Sequence, residues 1–158
     1  MDVRVYRLND RGWVTYSKRT GGVNVKDSII EEGGFLITNA GQIRVGLSKF
    51  LVSDPLGLNE VGDVVGSSRV DNSTFLRGFL YRRGVNYDLN DITFDRHGWI
   101  LSSAQAINEE RWIAATAIKG NQYVAFLLRP LVQGSIRRAA KIACSHVYDG
   151  IVGAKTKA

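Results

Sequence analysis

"LNDRGWV" at residues 8–14, "LNEVGDV" at 58–64 and "INEERWI" at 107–113 are copies of one turn. "ITNAGQI" at 37–43 and "FDRHGWI" at 94–100 follow the same pattern. An apolar residue comes first, then Asn, Asp or Thr, two free positions, Gly, and a residue that leads into an apolar run. An Asn or Asp at the start of a turn bonds the backbone two residues on, and Gly supplies the positive φ that ends it. That is the chemistry of a short hairpin loop with a bulge. In the 107–113 copy Arg111 stands where the others have Gly. Holding a non-glycine residue left-handed costs roughly 1 kcal/mol, so this loop is expected to be slightly remodelled.

The runs between the turns read as strands. "VRVYRL", "GWVTYSK", "FLIT", "QIRVGL", "DVVGSS", "FLRGFLY", "WILSSA", "WIAATAI" and "YVAFLL" are short, apolar or β-branched, and bounded by Gly, Asn or Asp. A second motif alternates with the first, in "RGFLYRRGVNYDLND" (77–91) and "QYVAFLLRP" (122–130), with weaker echoes in "GGFLI" and "SKFLVSDP". From Asn9 to Asn59 is 50 residues and from Asn59 to Asn108 is 49. Four short strands in a period of this length match a propeller blade.

The pattern changes at residue 131. In "LVQGSIRRAAKIACSHVYDGI", Ile136, Ala139, Ala140, Ala143 and Val147 fall on one helical stripe. Ser135 suits the N-cap and Gly150 the stop, with a frayed "VGAKTKA" beyond. The expected organisation is a β-repeat domain over 1–130, with two full units and a partial one, followed by a basic C-terminal helix and tail over 131–158.

Composition narrows the class. The chain has 158 residues, 44% of them hydrophobic, with 17 Gly and 2 Pro. That is one soluble globular domain with many tight turns. The single Cys144 excludes an internal disulfide framework. The opening "MDVRVYRLNDRG" has no apolar signal core, and no run approaches the ~20 apolar residues of a membrane helix. The cytoplasm is the default compartment, with no membrane partner. The net charge of +6 is concentrated in residues 131–158, which carry +4.

Residues 78–130 resemble the HAF repeat of bacterial, often secreted, repeat proteins. The resemblance rests on Gly78-Phe79-Leu80-Tyr81, Asp88-Leu89-Asn90, Gly98-Trp99, Ala104, Ile107-Asn108-Glu109 and Ala125-Phe126-Leu127-Leu128 with Pro130. "LNEVGDVVGSS" and "ITNAGQIRVG" extend it, so the best match spans 37–130. The chain departs from the family at Arg111-Trp112, where Gly-Gln is usual, and beyond Pro130. The resemblance implies a mainly β fold of propeller-like meander repeats. It transfers no catalytic residue and no cofactor, and it leaves secretion open. Two to three blades cannot close a ring, so homo-oligomerisation is expected, or a helix that covers the open face.

No constellation names a reaction. The chain lacks a Gly-x-Ser-x-Gly elbow, a phosphate loop and a paired-carboxylate signature. His97, beside Asp95 on a turn, is the one general-base candidate and gives an alternative reading as a hydrolase. Asp88, Asn90, Asp91 and Asp95 form a loose oxygen cluster without calcium-loop spacing. Cys144 and His146 face different directions on a helix and do not make a zinc site. Arg69, Arg77, Arg82 and Arg83 interleave with aromatic residues, but alternation sends the rings to the core and the arginines to solvent. Trp13, Trp99 and Trp112 recur just after the turns. With His97 they form the candidate surface for a small-molecule, glycan or peptide ligand. Arg137, Arg138 and Lys141 carry an alternative reading, nucleic-acid binding through the basic helix. The favoured expectation is a non-enzymatic, self-associating binding module with no cofactor and no metal.

Overall fold

The computed structural model describes residues 2–19, 33–47, 52–69, 76–131 and 148–156, the last of these as backbone only. The protein is mainly β. Its described strands form three sheets in chain order. The first sheet is an antiparallel meander of β1 (Asp2–Leu8), β2 (Val14–Arg19), β3 (Gly33–Thr38) and β4 (Gly41–Val45). The second repeats it with β5 (Ser53–Leu58), β6 (Val64–Arg69), β7 (Leu76–Arg82) and β8 (Val85–Asp88). A short helix α1 (Leu89–Ile92) and β9 (Thr93–Phe94) lead to the third. That sheet runs β10 (Ile100–Ile107), β11 (Ile113–Lys119), β12 (Gln122–Pro130) and β13 (Tyr148–Thr156), with β9 parallel on the far side of β13.

Strand alternation explains the packing. In the middle sheet, Val64 pairs with Tyr81 and Val65 with Leu80. Successive side chains point to opposite faces, so this sheet is apolar on both. Val64, Phe79 and Tyr81 join Leu36 and Val45 of the first sheet in one core. Val65 and Leu80 join Leu101, Ala104, Ile113 and Phe126 of the third sheet in a second core. The middle sheet is therefore sandwiched, and the two outer sheets each pack on one face.

Two expectations are corrected. The helix placed over 135–150 lies mostly on residues outside those described, as do Arg137, Arg138 and Lys141. From Tyr148 onward, however, the backbone is a strand, paired antiparallel with β12 from Pro130↔Tyr148 to Tyr123↔Thr156. Gly150 does not end a helix, and "VGAKT" is not frayed. The β12 edge would otherwise present a row of unpaired backbone groups, and β-branched Ile151, Val152 and Thr156 suit a strand that covers it. The loop of Arg111 is also not remodelled. Arg111 keeps the left-handed φ of 66°, beside 75° at Gly12 and 85° at Gly62. Its turn bonds match too: Asn108 N–H to Trp112 O is 3.1 Å, as Asn9 N–H to Trp13 O is.

The structure also sorts the five turns. Three are the first hairpin of each sheet: β1–β2, β5–β6 and β10–β11. "ITNAGQI" joins β3 to β4, and "FDRHGWI" leads into β10. Asn/Asp-x-x-Gly spacing is turn chemistry wherever it occurs, so it does not mark the layer by itself. Among the described residues no helix is long and apolar enough to cross a membrane.

Candidate functional site

The three first hairpins stack as a ladder. In each, the Asn side chain closes its own turn. Asn Oδ1 accepts from the backbone N–H four residues on: Trp13 at 2.9 Å, Asp63 at 2.9 Å and Trp112 at 2.8 Å. The amide Nδ2 then reaches the next layer. Asn9 Nδ2 donates to the Asn59 carbonyl at 3.1 Å, and Asn59 Nδ2 to the Asn108 carbonyl at 3.3 Å. The acidic residue that follows makes a second rung. Asp10 N–H donates to Glu60 Oε1, and Glu60 N–H to Glu109 Oε1, both at 2.9 Å. A side chain that must close its own turn and bridge to the next can only be an amide of this length, which accounts for Asn at all three positions.

Four residues beyond each Asn, the layers differ. Trp13 of the first layer lies over Gly62 of the second, so closely that a Cβ on Gly62 would sit 2.6 Å from the indole. In the second layer the Trp position is Asp63, and in the third the Gly position is Arg111. Those two form an ion pair, Arg111 Nε to Asp63 Oδ2 at 3.0 Å. Arg82 Nε lies 3.6 Å from the other carboxylate oxygen. An aromatic-over-glycine contact at the first junction is thus replaced by a carboxylate–guanidinium pair at the second. This explains why Arg111 holds a left-handed backbone: the geometry aims its side chain at the buried Asp63 carboxylate, and leaving that carboxylate without this partner outweighs the turn strain.

The two junctions border a cleft of about 480 Å³ on the turn side. Trp13, Leu36 and Ile43 of the first sheet form one wall; Val61, Asp63, Tyr81 and Arg83 of the second form the other, and Arg111 reaches in from the third. The interior is largely apolar, with Arg83, the Asp63–Arg111 pair and the Thr38–Asn39 turn as its polar elements. Arg11 covers the Trp13 ring, its guanidinium carbon 5.4 Å from the centroid. Trp13 Nε1 is buried without a hydrogen-bond partner.

At the far end of the first junction, Arg19 Nη2 grips both oxygens of Asp54 at 2.8 Å, and the Tyr6 hydroxyl donates to the same carboxylate at 2.6 Å. Burial, then the bond to Asp54, pushes the Tyr6 phenol above its ordinary value. The network clips the first sheet to β5.

The structure separates the residues singled out from the sequence. Trp13 lines the cleft and is half-buried. Trp112 is half-buried at the equivalent position on the third sheet. Trp99 is in the second core. His97 is exposed, with φ 48°, and its carbonyl accepts from Lys119 Nζ at 3.0 Å. Asp95 is likewise exposed and left-handed. The oxygen cluster is used locally: Asp88 caps α1 through the Asn90 N–H and pairs with Arg77, and Asn90 is bonded to Leu101. Among the described residues no group of His, Cys, Asp and Glu is arranged to hold a metal. Sequence reasoning missed Tyr81, Arg83 and Asp63 as cleft residues. Asp63 had a signal, an acid in register with two tryptophans.

No family model, no curated protein and no solved structure matches the chain.

Proposed function

We propose that this protein is a non-enzymatic binding module, built of HAF-like, propeller-blade-like units that self-associate, and that its ligand enters the cleft between the first two sheets. The cleft itself carries the reading. It is concave, mostly apolar and supplied with a few polar groups, the usual make-up of a small-ligand site. The occupant that suits it has an apolar body for the cleft walls and an anionic group for the exposed Arg83. An acidic sugar or an aromatic, acidic peptide has both. Titration with a uronic acid and with an Asp-containing aromatic dipeptide, followed by amide chemical shifts, tests this. Trp13→Ala and Arg83→Ala are each expected to weaken binding at least tenfold, and His97→Ala to leave it unchanged. If no probe shifts the cleft resonances, or binding survives both substitutions, the reading is wrong.

A further inference from the structure

The stack has a repeating polarity, and among the described residues the third sheet ends it with its connectors unfilled. Asn9 is 8% exposed and Asn59 2%, because each is covered by the next layer, while Asn108 is exposed. Among the described residues, Asn108 Nδ2 and Glu109 N–H, which would make the next two rungs, have no partner. The sheet face behind them shows the same break. Thr15 and Val65, at equivalent positions on β2 and β6, are buried or fully covered, but Ala114 on β11 is exposed. Ile100 and Leu127 are exposed as well.

The opposite end of this chain has the matching sockets. Gly12, in register with Gly62, has nothing within 4 Å of where a Cβ would be. Asp10 is in register with Glu60 and Glu109, the carboxylates that accept the backbone rung. The outer face of the first sheet exposes Val3, Val5, Leu8 and Ile37. On the same side Val14 is only half-buried, whereas its counterparts Val64 and Ile113 are fully covered.

We infer that the face of the third sheet left open by the described residues receives the first sheet of a second copy of this chain, head to tail. Trp112 covers the partner's Gly12 as Trp13 covers Gly62. Asn108 Nδ2 donates to the partner's Asn9 carbonyl, and Glu109 N–H to the partner's Asp10 carboxylate. The junction continues the two already present inside the chain. Being heterologous, it closes into a ring or propagates, according to its rotation. The inference rests on the self-associating part of the proposed function and not on the cleft ligand.

The chain carries its own recipe for a test, because the second junction replaces Trp/Gly by Asp/Arg. Absolute mass is measured by light scattering after size exclusion for the wild type, W112D, G12R, the double variant, and an equimolar mixture of the two single variants. Arg111 shows that this turn accepts arginine with φ 66°, and a circular dichroism spectrum verifies each fold. The wild type is expected at a multiple of its 17.5 kDa chain. Each single variant is expected to dissociate, with affinity lost about 30-fold or more. The double variant and the mixture are both expected to reassemble, because every junction in them is again Trp over Gly or Asp against Arg. A wild type that stays monomeric at about 200 μM, a concentration well above the Kd of a specific interface, overturns the inference and the self-association with it, while cleft binding stands on its own titration. An oligomer that W112D and G12R leave intact overturns this junction alone.

Discussion

The same substitution, Asn to Ala, is expected to have very different consequences at two rungs of the ladder. Asn59 is buried and accepts from the N–H of Asp63, itself buried, at 2.9 Å. It also donates across the junction to Asn108 O at 3.3 Å. Asn59→Ala leaves the Asp63 N–H without an acceptor, which costs about 1–3 kcal/mol, and removes a cross-layer bond worth roughly 0.5–1.5 kcal/mol. The sum is about 3 kcal/mol. Asn108→Ala removes only the bond from Trp112 N–H at 2.8 Å, in a turn that water reaches. Its cost is about 1 kcal/mol or less. For a chain of this length 1 kcal/mol moves Tm by roughly 2–4 °C, so the two variants should differ by several degrees. Urea unfolding at a dilution where the chain is monomeric measures both. Equal losses would refute the reasoning, since the ladder would then contribute nothing at its internal rung.

Other outcomes follow from the same geometry. Arg111→Gly relieves turn strain of about 1 kcal/mol but leaves the Asp63 carboxylate with only Arg82 at 3.6 Å and the long bond from Asn59 Nδ2 at 3.4 Å. Because Arg111 is about one-third exposed, the net loss is expected to be modest, about 1–2 kcal/mol. Asp63→Trp combined with Arg111→Gly recreates the first junction, and a double-mutant cycle by urea unfolding is expected to show favourable coupling of at least 1 kcal/mol. Phe79→Ala opens a cavity in the core shared by the first two sheets and is expected to cost about 3–5 kcal/mol by the same assay. For Tyr6 the sign runs from burial. Its folded pKa lies above the ordinary 10.0, so the neutral phenol is favoured. That stabilisation is complete below about pH 10 and is lost as pH rises through the folded value. The urea midpoint of the wild type should therefore fall more than that of Tyr6→Phe between about pH 8 and about pH 11.

The hairpin turns and the strands between them were legible because both are local. Asn-x-x-Gly and period-two alternation are set by a few neighbouring residues. The 49–50-residue spacing located the three equivalent turns. What the sequence reading could not supply was the direction of the connections between layers. Arg111 read as a flaw in a turn because its partner, Asp63, is 48 residues away in the chain. The end of the chain misled for a related reason. Gly150 has the chemistry of a helix stop, but the open edge of β12 decides the backbone's course there. Trp99 looked equivalent to Trp13 and Trp112 because it follows a similar turn, yet that turn precedes its sheet and places the ring in the core. The cleft was invisible beforehand because its walls come from two sheets and Arg111 reaches in from the third.

Amide exchange at three backbone positions tests the layered stack most directly. On the ¹⁵N-labelled chain at high dilution, the N–H groups of Asp10 and Glu60 are expected to exchange slowly, because the Glu60 and Glu109 carboxylates accept them. Glu109, the last of the series, is expected to exchange fast when dilute and to become protected as the concentration rises and a second copy supplies Asp10. If all three exchange alike at every concentration, neither the ladder nor its open end exists as described.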